Sequence, residues 1–222
     1  MKKRLGLIKS TKGSGAFGAI LGVLLVVAVA FFAYTQFFAV KQISIAGLPG
    51  PTLSKETGSD KRDVTGYEVT FNHKKGFKTD ALVVNSKKYN ESGIKNGISP
   101  VDVVLAWGSI AENNGETDFA WTITDRAYSF SSTTSFEESE IIKHSSLNHL
   151  IGQTDSVTSQ IKKLRAGDHV KISGYLVDIT AEPQIGEIVK WNTSTKFSDK
   201  GLNSSEIVYV TSLEVIKETA AQ

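Results

Sequence analysis

A run of apolar residues near the N-terminus constrains this chain more than any other feature. From Ala16 to Ala33 no side chain is polar, and Phe37 to Val40 extend the run past a Tyr-Thr-Gln interruption. At 1.5 Å per residue, about 20 such residues cross the roughly 30 Å hydrocarbon core of a bilayer. The pattern predicts a transmembrane helix over residues 16–40 and a short tail over residues 1–15.

The charges that flank this run predict its orientation. Only Lys41 and Lys55 follow it closely, whereas five basic residues precede it: Lys2, Lys3, Arg4, Lys9 and Lys12. The side richer in Lys and Arg normally stays in the cytoplasm. We therefore expect residues 1–15 in the cytoplasm of a bacterial cell and residues 41–222 outside its cytoplasmic membrane. A cleaved signal peptide is the alternative, but the run is longer than a signal core and ends in bulky aromatics.

Two glycines inside the predicted helix bear on self-association. Gly18 and Gly22 have the small-xxx-small spacing that lets two membrane helices approach closely. The spacing permits a weak contact between two copies through Gly18 and Gly22. Glycine is common in membrane helices, so a helix without a partner is the favoured explanation.

Composition excludes several kinds of chemistry. The net charge is only +2, and no long basic run occurs outside the N-terminal tail, which argues against a nucleic-acid partner. The chain has no Cys, so disulfides, thiolate metal sites and Cys nucleophiles are excluded. We predict no metal and no cofactor.

Alternating apolar and polar residues predict a mainly antiparallel β domain over residues 64–217. A Pro-, Gly- and Ser-rich segment over residues 41–63 is typical of a linker, and residues 218–222 are expected to be a disordered tail. The period-two segments are 67–71, 119–130, 167–179, 188–191 and 207–215, with a buried-type run over 81–84. The apolar phase slips by one residue at Gly174, as at a bulge or sharp bend.

Two or three short helices complete the predicted α+β class. Ser99-Pro-Val-Asp predicts a helix that runs to Trp107, because Ser can cap and Pro suits the first position. Further helices are expected over residues 137–144 and 156–166. The domain is expected to be a bent-strand barrel or a sandwich, similar in shape to small barrels such as oligonucleotide/oligosaccharide-binding folds.

The segment His144-Ser-Ser-Leu-Asn-His149 carries the least common polar residues. Two His could supply metal-binding nitrogens or an acid/base pair, but five residues of continuous helix would separate them by about 140°. They converge only if the helix ends near Ser145. Glu140, one turn earlier, can orient the His144 ring. The alternative is a helix end, where His144 hydrogen-bonds to the last carbonyl groups.

Four segments, in this order, resemble a family of uncharacterised bacterial membrane-anchored proteins. They are Ser99-Pro-Val-Asp-Val-Val-Leu-Ala-Trp-Gly108, His144–Ile151, Gly167–Val177 and Trp191–Glu206. The chain departs from the family pattern at Phe197, where Arg is usual, and at Ser205, where Cys is usual. The resemblance implies location and fold, and it implies no activity.

These residues together predict one candidate site. His144, His149, Trp191, Ser194 and Asp199 are expected to line one end of the domain, where an indole could stack on a ligand that polar groups orient. We therefore expect a membrane-anchored extracytoplasmic binding or interaction module of a bacterial envelope complex, with an envelope protein as its partner and no catalysis assigned. The alternatives are an envelope hydrolase that uses His144, His149 and Asp199, and a scaffold in which Trp107 and Trp191 are core residues.

Overall fold

The computed structural model describes residues 43–115, 119–132, 136–197 and 205–217. The chain divides into two units, residues 1–40 and 41–222. The predicted tail, transmembrane helix and C-terminal tail, together with Asp199, lie outside the described residues. Among the described residues, no helix has the length and hydropathy that a membrane span requires.

Strands make up most of the described chain, and four short helices lie between them. The strands are β1 (Thr52–Ser54), β2 (Ser59–Val64), β3 (Tyr67–Lys88), β4 (Val101–Ala106), β5 (Ala120–Thr124), β6 (Ala127–Ser131), β7 (Ser145–Gly152), β8 (His169–Pro183), β9 (Val189–Trp191) and β10 (Glu206–Ile216). The helices are α1 (Ile94–Ile98), α2 (Gly108–Asn113), α3 (Glu138–Lys143) and α4 (Asp155–Ile161). The expected mostly-β domain with short helices is confirmed.

Five strands pair with one another in a closed circuit. The order is β3-β4-β7-β10-β8, and β8 pairs again with β3. Four of these pairings are antiparallel, whereas β7 and β10 are parallel. The strands β1, β2 and β9 attach to β3 or β8, and β5 and β6 form a separate hairpin. We call the closed set the five-strand circuit.

Both faces of β4 and β7 are buried, which makes these strands the centre of the domain. One apolar cluster includes Leu105, Leu150 and Val208 together with Trp121 of the hairpin. A second cluster includes Ile151 and packs around the start of β3 and the end of β8. A strand covered on both faces has a nearly continuous apolar sequence rather than an alternating one.

The predicted helix over residues 99–107 is wrong, because this segment is the strand β4. Its residues include three valines at positions 101, 103 and 104, and β-branched side chains favour strands. Ser99 does not cap a helix, since its Oγ donates a hydrogen bond to the carbonyl of Leu150 at 3.1 Å. A short apolar run fits a buried strand as well as a helix.

Residues 43–63, which were expected to be a linker, belong to the folded unit. Leu48 is buried, and the backbone amide of Ile45 donates to the carbonyl of Ala111. β2 pairs with β3 over its whole length although its sequence is Ser-Asp-Lys-Arg-Asp-Val. Its side chains alternate between exposed and half-buried, so backbone pairing rather than an apolar face holds this strand.

The predicted bend near Gly174 lies where three strands meet. The register shifts occur in the two strands that flank β8, between His73 and Lys75 in β3 and between Val210 and Ser212 in β10. A Cβ atom at Gly174 would lie 2.1 Å from the carbonyl oxygen of Tyr209. Glycine therefore lets two backbones approach closely at this bend.

We expect Gly174→Ala to lower the free energy of unfolding by about 2 kcal/mol or more, because backbone atoms would have to move. Gly47→Ala is the control, since Gly47 has a φ of +74° but no neighbour within 4 Å, and only backbone strain of about 1 kcal/mol is expected. Urea unfolding of the full-length protein in detergent micelles, followed by circular dichroism, measures both. Equal losses would contradict the close-approach explanation.

Candidate functional site

Asp102, the second residue of β4, is fully buried and accepts hydrogen bonds from three side chains. The register of β4 and β7 places it opposite His149 on one face of the sheet. Because a carboxylate only accepts, the Nδ1 of His149 donates to Oδ1 at 2.8 Å. The Nη1 of Arg126 also donates to Oδ1, and the hydroxyl of Tyr89 donates to Oδ2, both at 2.8 Å.

Arg126 reaches this carboxylate from the turn of the β5–β6 hairpin. Asp125 and Arg126 have φ values of 49° and 58°, which is the pattern of a two-residue type I′ turn. Neither residue is glycine, so the turn costs conformational energy. Charge-assisted hydrogen bonds offset this cost, because Arg126 donates through Nη1 to Asp102 and through Nη2 to the Asn96 Oδ1 and the Ser99 carbonyl.

Two aromatic rings enclose the guanidinium of Arg126. Its central carbon lies 4.1 Å from the Tyr89 ring centroid and 5.2 Å from the Trp191 centroid. The centroid of the Trp191 ring also lies 4.6 Å from the centroid of the His149 ring. We call Asp102, Tyr89, Arg126, His149 and Trp191 the Asp102 cluster. Its members come from two sheet strands, a hairpin turn, the end of β3 and the edge strand β9.

The electrostatics of the cluster keep the Tyr89 hydroxyl protonated. Burial raises the pKa of Tyr89 above its ordinary value, and the negative charge of Asp102 raises it further. The phenol therefore remains a hydrogen-bond donor to Asp102. The same carboxylate accepts from the guanidinium of Arg126, whose side chain is only 13% exposed.

The structure brings together two of the five candidate residues, His149 and Trp191. His144 caps the end of α3 instead, where its Nδ1 lies 3.1 Å from both the carbonyl and the carboxylate of Glu140. This is the predicted helix-end alternative, with Glu140 in the expected orienting position. The hydroxyl of Ser194 donates to the carbonyl of Lys196 within its own loop.

Sequence reasoning missed Asp102, Tyr89 and Arg126 as site residues. A signal for Asp102 was present, because one acid lies inside the apolar run Val-Asp-Val-Val-Leu-Ala, but it was assigned to a helix start. The Thr-Asp-Arg-Ala sequence between two alternating segments indicated a turn. No local pattern indicated that its Arg would meet a carboxylate 24 residues earlier.

The geometry of the cluster suits binding better than proton transfer. The His149 side chain is only 2% exposed, so a substrate could not reach it without a rearrangement, and a general base needs such contact. Trp191 is half-buried, and Lys95 of α1 is exposed with its Nζ 5.1 Å from the Trp191 centroid. Within the described residues, no group of three His, Asp or Glu side chains could hold a metal ion.

A polar cleft of about 530 Å³ adjoins the cluster. It lies between the end of β2, the segment over residues 89–100 that contains α1, and the helix α4. Tyr89 and Asn96 form part of its wall. Both residues also contact Arg126. The cleft and the Asp102 cluster therefore share one wall.

We expect Asp102→Asn to cost about 3–5 kcal/mol of unfolding free energy, because it leaves the Arg126 guanidinium without its charge partner in a nearly buried site. Asp125→Asn, one residue from Arg126 on the exposed side of the turn, is the matched control and should change stability by less than about 0.5 kcal/mol. Urea unfolding of both full-length variants in micelles provides the comparison. A loss below about 1 kcal/mol for Asp102→Asn would contradict the structural role of the carboxylate.

The raised pKa of Tyr89 predicts a loss of stability in alkali. The unfolded chain releases the phenolic proton near pH 10, before the folded protein does, so the free energy of unfolding falls as the pH rises above about 10. Burial also raises the pKa of Tyr128 and of Tyr209, which adds to the slope. Tyr89→Phe should be less stable at pH 8 but should lose less between pH 9 and 11. Parallel pH curves for the two proteins would contradict this assignment.

No protein-family model matches this chain, and neither a curated protein nor a solved structure does. The resemblance to bacterial membrane-anchored proteins therefore rests on the four sequence segments and stays a prediction. Three of those segments supply Asp102, His149 and Trp191 to the cluster.

Proposed function

We propose that this protein is a membrane-anchored, extracytoplasmic binding module of a bacterial envelope complex, with residues 16–40 as its anchor. The observation that carries the proposal is the Asp102 cluster, which fixes an indole and a guanidinium at one face of β4 and β7. A recognition site needs side chains that are held in place before the ligand arrives. The cluster meets this requirement without offering an accessible acid or base.

The position of the cluster supports a binding role. We infer that the five-strand circuit is a small barrel similar to the oligonucleotide/oligosaccharide-binding fold. In such barrels the second and third strands, with the loops after the first and fourth, bind the ligand. In chain order the strands of the circuit are β3, β4, β7, β8 and β10, so β4 and β7 are the second and third strands. Tyr89 and Lys95 follow the first, β3, and Trp191 follows the fourth, β8. Fold likeness alone does not fix a ligand.

The sequence before the domain supports the anchored location. The apolar run is long enough for a membrane helix, and the basic residues precede it. Ile43, three residues after the run ends at Val40, packs against the main apolar cluster. A binding module in the envelope is consistent with both observations.

A single engineered cysteine can test location and occupancy together, because the chain has no Cys of its own. Glu91→Cys places the thiol in the wall of the cleft that adjoins the proposed binding face, and Lys61→Cys places it at an exposed position on β2 as the control. We expect both to react in intact cells with a small charged maleimide that does not cross the cytoplasmic membrane. Glu91→Cys should react more slowly in cells than in purified protein, whereas Lys61→Cys should react equally in both.

Two outcomes would contradict the proposal. Labelling of both variants only after lysis would place the domain in the cytoplasm. Labelling in cells without slower reaction at position 91 would mean that nothing occupies this face.

A further inference from the structure

Cations and aromatic rings alternate across the exposed side of the Asp102 cluster. The Nζ of Lys87 lies 5.4 Å from the Tyr89 centroid, Arg126 lies between Tyr89 and Trp191, and the Nζ of Lys95 lies 5.1 Å from the Trp191 centroid. We call this series of five side chains the cation–aromatic row. It contains three positive charges, and the buried Asp102 carboxylate beneath it compensates only one.

The three cations of the row differ in what their charged groups contact. The Nζ of Lys87 donates to the Ile123 carbonyl at 3.3 Å, and Arg126 is engaged with Asp102. Lys95 is exposed, and it makes no ion pair in the part of the chain that the structure describes. Its ammonium therefore lies over the half-buried indole of Trp191 with its charge available to a ligand.

We propose that the cation–aromatic row binds an acidic saccharide. The carboxylate of a uronic acid would pair with the Lys95 ammonium, and the C–H face of the sugar ring would stack on the Trp191 indole. Arg126, fixed by Asp102, adds positive potential beneath the stacking site. This inference rests on the proposed binding function and names its ligand class.

The neighbouring cleft is consistent with a chain of sugars. Its lining includes Thr65, Asn90, Ser92 and Asn96, whose hydroxyl and amide groups suit the hydrogen-bonding pattern of sugar hydroxyls. The carboxylates of Asp63, Glu91 and Asp155 and the cations of Arg62 and Lys162 also line it. Tyr89 belongs to both the row and the cleft wall. The hydroxyls of a saccharide that begins on Trp191 can therefore continue into the cleft, while the acidic group that the row selects stays at Lys95.

A single-stranded nucleic acid is the other polyanion with rings that stack, and the structure favours it less. Nucleic-acid grooves use several aromatic platforms and a basic track along the backbone. Here the Tyr89 ring is covered by Arg126 and by Lys87, which donates to the Ile123 carbonyl. The Trp191 ring also contacts Arg126 and His149, but the third group over it, Lys95, is exposed and can move aside for a ligand. The net charge of the chain is only +2.

The test uses the full-length protein in detergent micelles and three fluorescent probes. These are a galacturonate pentamer, a neutral maltopentaose and a five-residue thymidine oligonucleotide. We expect the galacturonate to bind, to bind more weakly as salt increases, and to bind at least about fivefold more tightly than maltopentaose. Lys95→Gln should lower the galacturonate affinity about fivefold, because one ion pair is lost, and should leave maltopentaose unchanged.

Lys88→Gln is the matched control, because Lys88 is exposed at the end of β3 and makes no ring contact among the described residues. It should not change the affinity. Equal binding of the acidic and neutral sugars, equal effects of the two Lys variants, or no binding of galacturonate would each overturn the proposal. Tighter binding of the oligonucleotide would overturn it in favour of nucleic acid.

Failure here is distinguishable from failure of the proposed function. Binding in micelles does not depend on where the domain resides in the cell. If galacturonate does not bind while Glu91→Cys is still protected in cells, the binding module stands and its ligand is of another class. If Glu91→Cys is not protected although galacturonate binds, the module lacks its occupant in the cell.

Discussion

The buried carboxylate of Asp102 is the constraint on which the arrangement of this domain depends. A charged group taken out of water costs several kcal/mol unless partners replace the lost solvation. Here the replacement comes from His149, Arg126 and Tyr89, which belong to different parts of the chain. To solvate one carboxylate, the protein must hold a strand, a hairpin turn and the end of β3 in fixed positions. The loops around the cleft are therefore ordered by electrostatics as well as by apolar packing.

The same constraint explains why a site rich in ionisable groups suits recognition. Asp102 has donors on both oxygens, and Arg126 is held through both terminal nitrogens. Neither group is available for proton transfer, but both fix the position of Trp191 and its neighbours. Lys95 differs, because it is exposed and free to reorient toward a ligand. A rigid buried ion pair beneath one adjustable exposed cation is typical of a preorganised binding surface.

The strands with period-two patterns could be predicted from the sequence, and β8 is the clearest example. The hairpin of β5 and β6 was predicted only as one segment over residues 119–130, because its turn at Asp125 and Arg126 contains no glycine. β4 could not, because a six-residue apolar run has no periodicity that separates a buried strand from a helix. β2 could not either, since its polar side chains carry no apolar signal and its pairing depends on β3. In the candidate site, His149 and Trp191 were found by residue type. Asp102 and Arg126 were missed because only the topology brings them together. Arg126 is 24 positions from Asp102 in the sequence, and His149 is 47 positions from it.

The place of β10 in the five-strand circuit has a consequence for how the domain folds. β10 is the last strand of the described chain, yet it lies between β7 and β8 and pairs with both. The circuit cannot close, and its core cannot be completed, until this strand has been synthesised. The closed circuit therefore forms only after the last of its strands has been synthesised, and the pairing of distant segments makes folding slow relative to domains with local contacts. Until β10 arrives, β7 and β8 present unpaired edges, which makes the partly synthesised chain a substrate for chaperones and prone to aggregation.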